Sequence, residues 1–303
     1  MNIEHLNLEF GKAEGVNFIA GKGGFPCIEV SNDRASALIS TYAGQVLSFR
    51  PKGLADDLLF LSERAYYQQG KAIKGGIPIC WPWFGADPDG LGRPAHGFVR
   101  NRQWSVLGAE TSNGAETKLV LGLQDTPETR EIWPQAFELR LEIVVGSSLG
   151  LTLITKNRGE QAFTLTQALH TYFKVGEVDR VKVLGLEGKD YLDKVDHGNR
   201  KTQTGAVQIG DEVDRVYVDV DGKLIIQDPV LQRQISITSS GSKTAVVWNP
   251  WIRIAAEMAD LEDEDYRRML CVETANAAQD IVDLAPAGEY RLQVEYRIES
   301  ATF

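Results

Sequence analysis

The sequence predicts an all-β protein whose antiparallel strands form a sandwich or a barrel. Apolar and polar residues alternate with a period of two over many short stretches. Turn residues interrupt these stretches at close spacing, and almost no segment has the period of a long helix. The 303 residues allow one large all-β domain, and a hydrophobic fraction of 43% is enough for a sizeable core. We therefore expect residues 1–303 to form a single domain.

The clearest strand lies at Phe137–Val145, where the odd-numbered residues are apolar and the even-numbered ones include two glutamates and an arginine. Upstream, Trp104–Gln124 has the pattern of a hairpin that turns through Ser112-Asn113-Gly114. Between these two segments, Thr126–Trp133 is predicted to form one helical turn.

The other predicted elements are mostly short strands. Asp214–Asp228 is predicted to be a hairpin that turns at Asp221-Gly222, Trp251–Leu261 a short helix, and the charge run Glu262–Asp265 a solvated loop. Strands are further expected between Cys27 and Phe60 and at Leu149–Leu153, Ala162–His170, Leu231–Thr238, Lys243–Trp248, Met269–Thr274 and Tyr290–Glu299.

The segment Lys71–Trp104 has neither the period of a strand nor that of a helix, and we expect it to contribute to the functional site. It combines four prolines, six glycines and three tryptophans, so it is too turn-rich for a ladder and too apolar for a solvated loop. Lys74 precedes Gly75-Gly76, and Arg100 follows His96-Gly97. Accessible backbone, aromatic walls and fixed cations together predict a site for a small polar anion with a flat apolar face, such as a sugar phosphate.

Charge and cysteine usage exclude several classes of function. The net charge of −10, without a long basic run, argues against a nucleic-acid or anionic-membrane partner. No apolar run approaches the length of a membrane span. Cys27, Cys80 and Cys271 are odd in number and widely spaced, which favours reduced thiols and a cytoplasmic location.

Two histidines and one glutamate are candidates for chemistry. His170 ends a predicted strand, where it is either a buried imidazole satisfied by a neighbour or a general acid at the rim of a sheet. His96 is either a packing residue of the loop or a functional one. Glu273 is out of place between Val272 and Thr274 unless it forms a salt bridge or takes part in a reaction. No His or Cys spacing matches a metal site, so we expect no metal.

Two weaker candidates lie in the second half of the chain. Asp214 begins a predicted strand, a position where acidic residues are common. Trp248-Asn249-Pro250-Trp251 is a stiff aromatic turn, which either stacks on a sugar or belongs to the core.

Six motifs in order resemble the aldose 1-epimerase (galactose mutarotase-like) superfamily, and within it most closely the hexose-6-phosphate mutarotases, also called glucose-6-phosphate 1-epimerases. They are KGGIPICWPWFG, HGFVRNRQW, LTQALHTYF, EVDRVY, VVWNPW and CVETAN, and the resemblance covers nearly the whole chain. It implies a large antiparallel β-supersandwich with few short helices, a cleft on a concave sheet face, and no cofactor.

The resemblance also implies roles for individual residues. The histidine of LTQALHTYF, here His170, is the family's general acid, and the glutamate of CVETAN, here Glu273, is its general base. Asp214 binds sugar hydroxyls, while Lys74 and Arg100 hold the phosphate. We count His96, in the motif of Arg100, with the substrate-binding residues. Family members often have Arg where Lys74 stands, and Lys keeps the charge but lacks the bidentate fork.

These residue types suit the interconversion of the α and β anomers of a hexose 6-phosphate, a reaction of the isomerase class. The base removes a proton from the C1 hydroxyl and the acid protonates the ring oxygen. We expect a carboxylate and an imidazolium on opposite sides of a small site, with Glu273 ionised and His170 protonated in the free protein.

Two alternatives remain open at this point. One is a non-catalytic sugar-binding or regulatory protein on the same fold, and the other is a mutarotase for unphosphorylated aldoses. The presence of both His170 and Glu273 favours the enzyme, and Lys74 with Arg100 favours a phosphosugar. We expect a small-molecule phosphosugar as the partner, and a monomer.

Overall fold

Antiparallel strands make up most of the structure, a computed structural model that describes residues 2–303. This part of the chain contains 23 strands and three α-helices. The first twelve strands are β1 Val16–Ala20, β2 Pro26–Ser31, β3 Ala35–Ser40, β4 Gln45–Pro51, β5 Ile79–Cys80, β6 Ser105–Ser112, β7 Glu116–Gln124, β8 Phe137–Val145, β9 Leu149–Asn157, β10 Phe163–Leu165, β11 Gln167–Leu169 and β12 Tyr172–Lys174. The others are β13 Lys182–Leu184, β14 Asp190–Asp193, β15 Asn199–Thr202, β16 Val207–Gln208, β17 Val213–Tyr217, β18 Leu224–Asp228, β19 Arg233–Ser240, β20 Thr244–Asn249, β21 Met269–Asn276, β22 Val282–Leu284 and β23 Glu289–Ser300.

The helices are short and lie between strands or before them. They are α1 Ile3–Glu9, α2 Pro127–Ile132 and α3 Trp251–Glu257, with 3₁₀ turns at Lys22–Gly24, Val99–Asn101, Val178–Arg180 and Asp265–Arg268. Helix α2 begins where predicted, because Thr126 and Thr129 cap each other's backbone N–H groups and Pro127 occupies the first helical position.

Two large sheets dominate the architecture. The nine-stranded sheet has the order β16-β13-β18-β19-β23-β9-β8-β7-β6, and the eight-stranded sheet has the order β15-β14-β17-β20-β21-β11-β5, with β12 also paired to β21. Strands β1–β4 form a third sheet, and β10 pairs with β22. The pairs within these sheets are antiparallel, so the all-β prediction is confirmed.

The core lies between the two large sheets. Phe173, beside β21, meets Tyr296 of the nine-stranded sheet edge to face, with ring centroids 5.4 Å apart. Trp81, next to β5, donates its indole N–H to Thr155 of β9 at 3.2 Å. Apolar side chains from both sheets pack in one continuous cluster, which supports the eight-stranded sheet from behind and leaves its other face for a site.

Several local predictions are confirmed. The strand at 137–145 and the hairpin across 112–114 form as expected, as do the strands near 149, 233, 244, 269 and 289. The segment Lys71–Trp104 is almost entirely irregular and packs into the core through its aromatic residues. The sequence did not predict α1 or β1.

Three predictions are wrong. Ala162–His170 is not one strand but two, because β10 pairs with β22 whereas β11 joins the eight-stranded sheet. Asp214–Asp228 is not a hairpin, since β17 belongs to the eight-stranded sheet and β18 to the nine-stranded one. The charge run does not lie wholly in solvent, because Asp265 is buried and accepts hydrogen bonds from the Glu262 N–H and the Arg268 guanidinium.

Gly97 fixes the loop that carries His96 and Arg100. Its φ is +73°, and it forms a parallel bridge with Trp81. A Cβ atom at this position would overlap the Trp81 carbonyl oxygen. The close approach of these two backbone segments therefore requires glycine here.

We predict that Gly97→Ala lowers the free energy of unfolding by about 2–5 kcal/mol, because a positive-φ penalty adds to overpacking. Gly90→Ala is the matched control, with a φ of +65° but nothing within 4 Å of its added Cβ, and should cost about 1–2 kcal/mol. Urea denaturation measures both. Equal losses would show that the contact with Trp81 is not a constraint.

Candidate active site

A cavity of about 490 Å³ opens on the face of the eight-stranded sheet turned away from the core. All six residues that the sequence singled out line it, although they come from widely separated parts of the chain. These six are Lys74, His96, Arg100, His170, Asp214 and Glu273. The other residues in the wall are Phe84, Gly85, Ala86, Tyr172, Lys194, Val216, Val246, Trp248 and Met258.

Strand alternation explains why Glu273 points into the cavity. Every residue of β21 is buried, because the strand is covered on both faces. Leu270 and Val272 pack into the core between the sheets, whereas Met269 and Cys271 belong to a separate cluster on the other face. Glu273 shares the face of Met269 and Cys271, because side chains two residues apart on a strand point the same way.

His170 follows β11 directly and lies beside Glu273. Its Nε2 is 3.5 Å from Glu273 Oε1, its ring stacks on Tyr172 at a centroid distance of 4.9 Å, and its backbone N–H donates to the Pro78 carbonyl at 2.9 Å. His170 and Glu273 are thus neighbours on one sheet surface, and the expectation that they lie on opposite sides of the site is wrong. The register explains this, since Leu169 pairs with Thr274.

Two polar atoms of this pair have no hydrogen-bond partner within the described residues. They are His170 Nδ1 and Glu273 Oε2, and both are buried. Most buried polar side-chain atoms in folded proteins are satisfied. At the cavity floor, each of these two atoms can therefore still form a hydrogen bond.

Burial sets the ionisation of the pair in the unliganded protein. It raises the pKa of Glu273 well above the usual range of a carboxyl, and nearby Asp214 raises it further while Arg100 opposes the shift. Burial also lowers the pKa of His170 well below the usual range, and His96, Arg100 and Lys74 add to the shift. Both shifts favour the neutral forms, opposite to the expectation of an ionised Glu273 beside a protonated His170.

His96 sits next to His170, with ring centroids 5.6 Å apart, in a backbone conformation with φ of +64°. Its Nδ1 accepts the Gly85 N–H at 3.3 Å. Burial and the cations Arg100 and Lys74 lower the pKa of His96 to about 3. The ring is therefore neutral and carries its proton on Nε2, where it can donate.

The two predicted cations lie at the His170 end of the cavity, and neither is without partners. Lys74 Nζ is 3.4 Å from Asp260 Oδ1 and 3.8 Å from Met258 Sδ. Arg100 donates through Nη2 to the Ala95 carbonyl at 2.9 Å. Nothing in the sequence pointed to Asp260, because it lies in a loop far from Lys74 along the chain.

Asp214 occupies the opposite end, on β17. Strand β20 separates β17 from β21, so Asp214 lies two strands from Glu273. Burial raises the pKa of Asp214 to about 6, while Lys194 opposes the shift. Sequence inspection missed Lys194, because an exposed lysine after a short strand carries no signal by itself.

The aromatic residues divide between site and core. Trp248 lines the cavity and meets the Tyr172 ring edge to face at 6.1 Å, whereas Trp251 packs against Tyr266 at 5.1 Å. Only the first tryptophan of the aromatic turn is therefore available to a sugar face.

Residues 2–303 contain no group of three or more His, Cys, Asp or Glu side chains placed to hold a metal ion. Among the helices of the same residues, none is long and apolar enough to cross a membrane. The three cysteines are buried and free.

The arrangement of two large antiparallel sheets with a cavity on one sheet face is shared with solved structures of mutarotase-like proteins. The crystal structure of a "putative mutarotase" from Salmonella typhimurium superimposes with a TM-score of 0.87 at 30% identity, covering 94% of each chain. A galactose mutarotase-like protein from Clostridium acetobutylicum shares the fold, with a TM-score of 0.73 at 16% identity over 95% of this chain and 99% of that one.

The chain belongs to the aldose 1-epimerase family, whose model matches residues 26–297. It is 39% identical over 266 residues to a protein from Cenchrus ciliaris named "Putative glucose-6-phosphate 1-epimerase", covering 84% of this chain and 79% of that protein. A protein of the same name from Escherichia coli is 36% identical over 254 residues, covering 83% of each. The predicted fold and family are confirmed.

We predict that the His170 imidazole is neutral in the unliganded protein between about pH 6.5 and pH 8, because a lowered pKa means that the ring gains its proton only at lower pH. Imidazole ¹⁵N shifts distinguish the neutral ring from the imidazolium, and the spectrum of His170→Asn assigns the signal. An imidazolium signal at pH 7 would contradict the prediction.

Proposed function

We propose that this protein interconverts the α and β anomers of a hexose 6-phosphate by acid–base opening and closure of the sugar ring. The observation that carries the proposal is the buried His170–Glu273 pair, whose facing atoms are 3.5 Å apart on the floor of a cavity with cations at one end. The names of the two relatives described above support this substrate class.

The chemistry requires two proton transfers. Glu273 removes the proton from the C1 hydroxyl while His170 protonates the ring oxygen, and the C1–O5 bond breaks to give the open-chain aldehyde. Rotation about C1–C2 presents the other face of the aldehyde, and closure returns both protons. Because both reacting oxygens are bonded to C1, an acid and a base side by side can serve them together.

The neutral pair has to rearrange before it can act. Moving one proton from the Glu273 carboxyl to the His170 imidazole creates the carboxylate and the imidazolium without changing the net charge. The pair therefore titrates as a unit, and activity follows its total proton count. We expect a bell-shaped kcat/KM profile, whose acid limb marks the addition of a second proton and whose alkaline limb marks the loss of the shared one.

The order of side chains across the cavity is the basis for the orientation that we propose for the bound substrate. We place the phosphate at Lys74 and Arg100, C1 and the ring oxygen at the acid–base pair, and the remaining hydroxyls at Asp214. In this orientation His96 donates its Nε2–H to the sugar. The order follows the sugar itself, because the ring oxygen and C1 lie between C5, which bears the phosphorylated carbon, and C2.

The proposal extends to assembly and location. All six site residues come from one chain, so we propose that a monomer is active. Three free, buried thiols suit a reducing compartment such as the cytoplasm.

One observation favours a mutarotase for free aldoses instead, namely that Lys74 already pairs with Asp260.

Removing the base or the acid tests the assignment. Glu273→Gln and His170→Asn should each lower catalysed anomer exchange of glucose 6-phosphate, measured by exchange NMR, by at least about 10²-fold. The double variant should be little worse than the more damaged single variant, because the two groups act as a unit. Urea denaturation checks that each variant is folded. Near-full activity in either folded single variant would show the assignment to be wrong.

Removing a cation separates the phosphosugar from the free sugar. Arg100→Ala and Lys74→Ala should each lower kcat/KM for glucose 6-phosphate by about 10–100-fold, because a charge-assisted hydrogen bond to the phosphate is lost. Exchange of unphosphorylated glucose should change little. Lys52→Ala, which removes an exposed cation outside the cavity, is the control. Equal losses on both sugars would mean that the cations support the ring or the fold, and not a phosphate.

A further inference from the structure

The ion pair between Lys74 and Asp260 lies where a phosphate is expected. Both side chains are mostly buried, with exposed fractions of 18% and 19%. A smaller cavity of about 190 Å³ adjoins the main one and shares Lys74, Arg100 and Tyr172 with it. Asp260 lines this smaller cavity together with Lys71 and Tyr66. A carboxylate thus faces the cations of the proposed phosphate site.

The backbone around Asp260 is held in place. Leu261, the next residue, is fully buried, and its N–H donates to the Met258 carbonyl at 3.3 Å. Met258 itself contacts the Lys74 ammonium through its sulfur. The Asp260 carboxylate therefore stays close to the site when an anion enters, and it competes with that anion for Lys74.

We propose that Asp260 is a resident counter-anion, whose carboxylate weakens the binding of phosphate to this site. Asp260 is therefore a specificity-determining residue for the reaction. The inference rests on the proposed phosphate position at Lys74 and Arg100. In the empty site Asp260 satisfies Lys74. A phosphate must share Lys74 with this carboxylate and remain beside its negative charge.

Weak binding of the phosphate group suits an enzyme whose substrate and product are anomers. The phosphate does not change during the reaction, so its contacts stabilise substrate, transition state and product equally. Such uniform binding lowers KM without raising kcat. A tight anion site would slow product release and would hold inorganic phosphate, which lacks the sugar ring. Weaker binding at the anion site leaves the discrimination between the phosphosugar and inorganic phosphate to the contacts that the sugar ring makes.

The experiment compares Asp260→Asn with Asp263→Asn. Asp263 lies in the same connection, is exposed, forms no ion pair within the described residues and lines neither cavity, so its variant controls for the change in net charge. Titration with inorganic phosphate alone, followed by calorimetry, should show about three- to tenfold tighter binding in Asp260→Asn and no change in Asp263→Asn. The KM for glucose 6-phosphate should fall by the same factor, and kcat should not rise.

A double-mutant cycle links the effect to Lys74. In a Lys74→Met background, Asp260→Asn should no longer tighten phosphate binding by the same factor, because the competition is for that ammonium. Asp260→Ser serves as a second variant if Asp260→Asn does not fold. Weaker phosphate binding in Asp260→Asn would mean that the carboxylate only positions Lys74, and binding equal to that of Asp263→Asn would mean that it plays no part. Either outcome overturns the inference.

The binding measurement also separates this inference from the proposed function. Inorganic phosphate binds without turnover, so a failure of anomer exchange in the unmodified protein would count against the function alone. Conversely, normal exchange with an Arg100→Ala defect, but no gain in Asp260→Asn, would count against the counter-anion alone.

Discussion

The burial of a carboxyl beside an imidazole is the constraint on which the site depends. Glu273 and His170 are held on a sheet surface, out of water and with one polar atom each unsatisfied. Such groups are costly to bury, so the surrounding structure has to stabilise them. Strand β21 is covered on both faces, and the nine-stranded sheet packs behind it. The large second sheet therefore contributes to the site, because it supports the strand that holds Glu273 in its buried position beside His170.

The order of strands arranges charge along the cavity. Cations lie beyond His170, the acid–base pair lies on β21 and after β11, and Asp214 with Lys194 lies on the β17 side. This order adds to the pKa shifts that burial causes, since the cations oppose a charged His170 while Asp214 opposes a charged Glu273. Arg100 acts against this trend at Glu273, whose charged form it favours, and an anion bound near the cations would lessen their effect on the pKa of His170.

Local patterns in the sequence predicted local structure well. Alternation identified β8, turn residues identified the hairpin of β6 and β7, and the helical turn predicted at Thr126–Trp133 is α2. Alternation failed where a strand changes sheets, as between β10 and β11, because the pattern of buried residues is the same whichever sheet the strand joins. The six site residues were found through motifs. Lys194 and Asp260 were not, since their significance depends on which distant side chain they face.

The two charged regions of the cavity, the His170–Glu273 pair and the cations with Asp260, differ in character. The proposed reaction accounts for the difference. In the proposed mechanism proton transfer distinguishes the transition state from the substrate, so the burial of Glu273 and His170 strengthens the interactions that differ between the two. In the proposed orientation a phosphate at Lys74 and Arg100 holds the ring in place but takes no part in the proton transfers. A buried pair in the proposed roles of acid and base and a lysine paired with Asp260 are therefore consistent with one proposed substrate. On the same proposal, weaker phosphate binding raises KM and leaves the proton transfers at C1 and the ring oxygen unaffected.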